Sequence, residues 1–169
     1  MASNPKSRRI DPIQFEVVRS ALTQVAEEMA AALRRSAYST NVKTRQDFSC
    51  AFFDRNCRPI SQAFTQPVHL GSFVELIPTS VETYGAENLE PGDMLVVNNP
   101  FGGGSHLNDV TVFGPVHHNG ELVGYVASLA HHVDVGGGAP ASIGPFQEIF
   151  QEGIIISPVK LVKRGEMNE

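Results

Sequence analysis

Two short segments of the chain carry residue types that metal chemistry needs, His106-Leu-Asn-Asp109 and His131-His-Val-Asp134. Imidazole nitrogen and carboxylate oxygen suit Zn²⁺, Mn²⁺ or Fe²⁺. Two imidazoles with one or two carboxylates make a three- or four-ligand site that leaves positions open for water or substrate. An ion held in this way lowers the pKa of bound water and polarises a carbonyl, so the expected chemistry is on a small carbonyl compound. A single His-x-x-Asp is a weak signal, because a loop histidine is more often only a hydrogen-bonded residue. His69, His117 and His118 read as histidines of that ordinary kind. Asp47 opens a strand-like stretch after a polar segment. Its plain reading is a cap, and its carboxylate is a further candidate ligand.

A hairpin joins the two segments. Val110 to Val116 alternates, as does Leu122 to Leu129, and His118-Asn119-Gly120 lies between them. Asn-Gly between two strand patterns is a strong hairpin signal. Residues equally far from the turn lie opposite each other, with Cα atoms ~5 Å apart. His106 and Asp109 are therefore expected beside His131, His132 and Asp134 at one end of the ribbon. Glycines 102–104 and 136–138 flank the two segments and let backbone approach a ligand closely. The run Gly102-Gly-Gly-Ser105 lacks the Gly-Lys-Ser/Thr ending of a phosphate-binding loop.

The remaining pattern predicts an α+β fold, with a long N-terminal amphipathic helix and a mainly antiparallel sheet containing a hairpin at about 110–130. Asp11-Pro12 is a helix start. Phe15, Val18, Leu22, Val25, Met29 and Leu33 then form one apolar stripe, expected to pack on the core, and Arg34 and Arg35 fall in the last turn. Asp47 to Asp54 reads as a strand entering a turn at Arg55–Pro59. Gln62 to Leu70 reads as extended or irregular. Ser72-Phe-Val-Glu75 resembles a capping box, but Pro78 places the regular helix after itself, to about Tyr84. Glu90-Pro-Gly-Asp93 is a turn, Met94 to Val97 a short buried strand, and the tail from Lys163 is polar with no closing element. Residues 1–10 read as a flexible N-terminus and 11–169 as one domain.

Composition excludes several classes. The 169 residues suffice for one domain, and 41% apolar content is globular. Thirteen basic against 18 acidic residues give a net charge of −5, and the basic clusters Lys6-Ser-Arg-Arg9 and Lys160-Leu-Val-Lys-Arg164 lie near the termini, which argues against nucleic acid as a partner. The first ten residues lead into no apolar signal-peptide core. No run approaches the ~18 apolar residues of a membrane span. A cytoplasmic protein with two inert thiols, Cys50 and Cys57, is the expectation.

The chain resembles the hydantoinase B/oxoprolinase family, the subunits or domains of ATP-dependent cyclic-amide hydrolases and of the related acetone and acetophenone carboxylases. The resemblance runs from about Ile10 to the last residue. It rests on Gln46-Asp-Phe-Ser-Cys50, Val68-His-Leu-Gly71, Pro91-Gly-Asp93, Asn98-Asn-Pro-Phe-Gly-Gly-Gly-Ser-His-Leu-Asn-Asp109, Ala130-His-His-Val-Asp-Val-Gly-Gly137 and Gln151-Glu-Gly-Ile154. It implies a metal on His106, Asp109 and His131. Asn99 departs from the Asp often found there, and Asn108 from the Pro of many members. The resemblance also implies a hetero-oligomer, in which a hydantoinase A-type subunit uses ATP to phosphorylate the amide or enol oxygen of a small substrate. The metal subunit then acts on it, with Asp134 or His132 as base. A ketone carboxylase subunit and a non-catalytic assembly module are the rival expectations. Family chains are considerably longer, so a fragment, a split gene product or a natural truncation is expected, with part of the site supplied from elsewhere.

Overall fold

The computed structural model describes residues 11–169; the N-terminal segment expected to be flexible and the basic cluster at Lys6–Arg9 lie outside them. Helix α1 spans Pro12–Ser36, capped by Asp11, whose carboxylate accepts from the Ile13 N–H at 3.0 Å, with Arg34 and Arg35 in its last turn. A short turn of helix, α2 (Thr40–Lys43), leads to strand β1 (Phe48–Asp54) and β2 (Pro59–Gln62). Helix α3 (Pro67–Tyr84), β3 (Met94–Val97), β4 (Asp109–His118), β5 (Glu121–His131), β6 (Val159–Lys163) and β7 (Glu166–Met167) follow. The seven strands form one sheet in the order β2-β1-β5-β4-β3-β6-β7, with every pairing antiparallel. The α+β class, the long helix and the hairpin are all present as expected.

β4 and β5 pair from Asp109↔His131 to His118↔Glu121, and Asn119 and Gly120 close the turn with φ of 51° and 82°. Positive φ at both central residues is the type I′ geometry that matches strand twist, and Asn-Gly tolerates it best. β1 then pairs along the free side of β5, from Phe48↔Ala130 to Asp54↔Gly124. Its alternation splits the core. Ala51 and Phe53 join Phe73, Leu76, Ile77, Phe113, Tyr125 and Leu129 beneath α3, while Phe48 and Cys50 join Ala26, Ala30 and Val42 beneath α1. Both faces of β1 are thus covered, which explains why every residue from Phe48 to Phe53 is buried.

Four expectations need correction. The α1 stripe does not pack throughout: Phe15, Val18 and Val25 are exposed, and the residues of α1 that are fully buried are Ala26 and Ala30. Small alanines let the helix axis approach the sheet closely, and its first half runs beyond it. Helix α3 begins at Pro67, so the segment read as irregular is helical from there, and Ser72 donates to the His69 carbonyl from within the helix instead of capping it. Pro78 lies inside α3 without ending it. The carbonyl it leaves unpaired is that of exposed Val74, whereas Phe73, Leu76, Ile77 and Val81 on both sides of the proline are buried and hold the helix down. The tail is closed, because β6 and β7 extend the sheet. Lys160 on β6 meets buried Asp93 at 2.7 Å, and Asp93 also accepts from the backbone N–H groups of Glu90 and Arg164.

Cys50 is buried, and burial raises the pKa of both thiols, that of Cys57 to about 11. No described helix is long and apolar enough to cross a membrane.

Candidate metal centre

The strand order sets the site. Asp47 precedes β1, His131 ends β5 and Asp109 opens β4, and these three strands are neighbours. Asp109 is the register partner of His131, while the His131 N–H donates to the Asp47 carbonyl at 3.0 Å from the other side. Period-two alternation puts Asp109 on the face of Phe113, and His131 on the face of Leu129 and Tyr125, which is the face covered by α3. His106 stands one turn before Asp109, brought round by the loop that the Asp109 N–H closes on the His106 carbonyl at 3.0 Å.

Asp109 is the centre of the cluster. Its Oδ2 lies 3.1 Å from His106 Nε2 and its Oδ1 3.0 Å from His131 Nδ1, and Ser105 donates a further hydrogen bond to Oδ2. The two imidazole rings are 4.9 Å apart. One donor atom from each of His106, Asp109 and His131 lies within 4.8 Å of the others. Ligands bonded at about 2.1 Å to one ion stand roughly 3.0–3.5 Å apart; the donor types suit a small divalent cation, and the two separations between Asp109 and the imidazoles, 3.1 and 3.0 Å, lie in that range. Burial pushes the Asp109 carboxyl up, but hydrogen bonds from His106 and Ser105 and the nearby imidazoles outweigh it and hold the pKa at about 2. Its hydrogen bond with Asp109 raises His106 above the ordinary histidine value. Asp109 is thus an anion at neutral pH, as a ligand must be.

Sequence reasoning passed over His69. The side chain comes from the first turn of α3, is 3% exposed, and sets Nε2 3.6 Å from Asp47 Oδ1 and 3.7 Å from Asp109 Oδ1. Burial pushes its pKa down against the pull of both carboxylates. The sequence signal was there: His69 lies four residues before Phe73, on the buried stripe of the helix. The other expected residues stand around this core. His132 lines a cleft of about 560 Å³ together with His131, with Tyr38 and Ser39 from the α1–α2 connection and with Asn41 of α2. Desolvation and the neighbouring His131 hold the His132 pKa low. Asp134 is exposed, and its Oδ1 accepts from the Gly136 N–H at 2.8 Å, the local bond of a turn.

An α+β domain with a histidine–carboxylate cluster at one sheet end is thus the class that fold and site define. The hydantoinase B/oxoprolinase profile matches residues 11–169, and the chain belongs to that family. It is 40% identical to the 5-oxoprolinase of Dictyostelium discoideum over 99% of this chain and 13% of that protein, and 37% identical to the caprolactamase subunit beta of Pseudomonas jessenii over 95% and 28%. The crystal structure of the ATP-dependent caprolactamase from the same bacterium superposes with a TM-score of 0.80 at 33% identity, covering 95% of this chain and 28% of that one. Nucleotide-free acetone carboxylase shares the fold with a TM-score of 0.85 at 21% identity, over 94% of this chain and 21% of that one. The chain therefore spans less than a third of the length of each of these proteins.

Proposed function

We propose that this chain supplies the metal centre of an ATP-dependent cyclic-amide hydrolase, acting on a ring that a hydantoinase A-type partner has activated with ATP. The convergence of His106, Asp109 and His131 at one sheet end carries this reading. The names of the relatives support it, since 5-oxoproline and caprolactam are both cyclic amides. The word subunit in the second name favours a hetero-oligomer, and dependence on ATP favours the cytoplasm.

His106, Asp109 and His131 would hold Zn²⁺, Mn²⁺ or Fe²⁺, with Asp47 as a further carboxylate at the rim. Such an ion, when bound, supplies Lewis acidity and an acidified water. The residues of the chain do the rest. The cleft beside His131 gives a small ring a place next to the ligands, walled by Tyr38, Ser39 and Asn41. His132 lines the same cleft, and its lowered pKa keeps the ring neutral and able to accept a proton from water at neutral pH. Asp134 is the second candidate base, less free because its carboxylate already holds the Gly136 N–H.

The purified chain is expected to carry about one divalent ion per molecule, and the double variant His106→Ala/His131→Ala to carry none, measured by elemental analysis. Unchanged metal content in that variant would put the site elsewhere. With the ATP-binding partner added, ATP-dependent opening of hydantoin, 5-oxoproline or caprolactam is expected. Consumption of ketone and bicarbonate instead would make the chain a carboxylase subunit, and no turnover at all would leave it an assembly module.

A further inference from the structure

Helix α3 sends one polar side chain into the centre, and its hydrogen bonds define what it does there. His69 Nδ1 lies 3.4 Å from the Ser49 hydroxyl. That hydroxyl receives a hydrogen bond from Thr65 Oγ1 at 3.1 Å and has one proton of its own, within reach of either His69 Nδ1 or the Gln66 carbonyl at 3.1 Å. The two choices differ sharply. If the proton went to Gln66, Nδ1 would have to carry the ring hydrogen, and the bare Nε2 lone pair of the buried ring would face the carboxylates of Asp47 and Asp109 at 3.6 and 3.7 Å. If it goes to Nδ1, Nε2 carries the ring hydrogen and faces both carboxylates with it, an electrostatic contact longer than a hydrogen bond. Gln66 loses little in the second case, because it is the N-cap of α3 and a cap carbonyl already accepts the first bond of its helix. Lone pair against anion is repulsive and N–H against anion attractive, and at low local dielectric that difference decides the arrangement.

We propose that His69 is a positioning residue of the metal centre: held by Ser49 in the Nε2–H form, it bridges the Asp47 and Asp109 carboxylates and fixes their separation before any ion binds. Its Nε2 is nearly equidistant from the two oxygens, and Asp47, just before β1, and Ser49, on it, alternate onto the face of Ala51 and Phe53, the one covered by α3. His69 does not itself complete the ligand group, which is formed by His106, Asp109 and His131. The helix thereby sets the geometry of a site whose ligands all belong to the sheet end. This rests on the metal reading above only for its consequence; the tautomer stands by itself.

The test uses the 169-residue chain with Co²⁺ as the probe, in wild type, His69→Ala, His69→Gln and Ser49→Ala. Affinity, the Co²⁺ absorption spectrum, the melting temperature of the metal-free form and the ring tautomer by ¹⁵N NMR are the readouts. Outer partners of ligating carboxylates typically contribute 10–100-fold to metal affinity, so His69→Ala should bind Co²⁺ weaker by about that factor, with shifted bands and unchanged stoichiometry. His69→Gln keeps an N–H donor and should recover most of the affinity, and Ser49→Ala should give an intermediate loss by releasing the ring. NMR should find the hydrogen on Nε2 in the metal-free wild type. Wild-type affinity and spectrum in His69→Ala, or the hydrogen on Nδ1, would overturn the proposal. If His69→Ala fails to fold, His69→Gln and the tautomer decide it. If the wild type takes up no Co²⁺, the metal reading fails separately, and the tautomer still rules for or against His69.

Discussion

Asn108 sits between two expected ligands and ties their segments together. Its Nδ2 donates to the His132 carbonyl at 2.8 Å, its own carbonyl accepts from the His132 N–H at 2.7 Å, and Ser142 Oγ donates to its Oδ1 at 2.6 Å. Removing the amide strips the partly buried His132 carbonyl of its partner, at a cost of about 1–3 kcal/mol, while the Ser142 hydroxyl keeps the Glu152 carbonyl at 2.7 Å. Asn108→Ala should therefore lower the melting temperature and also weaken metal binding, because His131 adjoins the freed strand end. Thermal melting and a Zn²⁺ titration measure the two effects, and an unchanged titration would show that His131 is held without this clamp. The departure from Pro at Asn108 removes no ligand, and the clamp it makes is not legible in the sequence. The other departure, Asn99, accepts the Phe101 N–H at 3.0 Å, a role that Asp fills equally well. His106, Asp109 and His131 were legible because a two-residue turn fixes hairpin register arithmetically. The approach of Asp47 was not, since it requires β1 to pair with β5 some eighty positions later, and His69 was hidden because its helix had been started too late.

At the scale of elements, the glycine-rich loop after β3 must lie against α3 to deliver His106. Sequence alone does not rank the three glycines 102–104, whereas the fold does. A Cβ at Gly103 would stand 2.6 Å from the Leu76 backbone nitrogen and 2.8 Å from the Glu75 carbonyl carbon, and its φ is +100°. At Gly102 a Cβ would meet nothing within 4 Å. Gly103→Ala should cost about 2–3 kcal/mol through backbone strain and displacement of the loop, and Gly102→Ala less than about 0.5 kcal/mol. Urea unfolding of both variants checks this, and equal losses would mean that the loop does not dock on α3 as described. The same helix explains why pattern reading failed between Pro67 and Pro78. A proline rule is local, while the burial of Phe73, Leu76, Ile77 and Val81 on one face is a tertiary term that outweighs it.

For the whole molecule, the informative surface is the first half of α1. Ile13, Phe15, Val17 and Val18 are 74, 54, 64 and 57% exposed, on a helix whose buried contacts begin only at Ala26. Periodicity reported correctly that this helix has an apolar stripe, but periodicity does not say what covers it; among the described residues, the sheet covers the second half alone. Single exposed apolar residues are ordinary on a monomer, whereas Ile13 and Val17, one turn apart on the same side of the helix, adjoin and mark a contact surface, with Phe15 and Val18 exposed on the other side. The 169-residue chain should therefore associate as its concentration rises, measured by sedimentation velocity. The double variant Ile13→Lys/Val17→Lys should remain monomeric with an unchanged melting temperature, because neither side chain is part of the core. The same variant should keep its metal, since the centre lies at the far end of β4 and β5 from the hairpin turn and draws no ligand from α1. If a hydantoinase A-type subunit uses this face, adding it should dissolve the self-association of the wild type and should leave the variant unbound. A wild-type chain that stays monomeric at every concentration, or a lysine variant that still associates, would remove α1 as the contact surface and leave the metal centre unaffected.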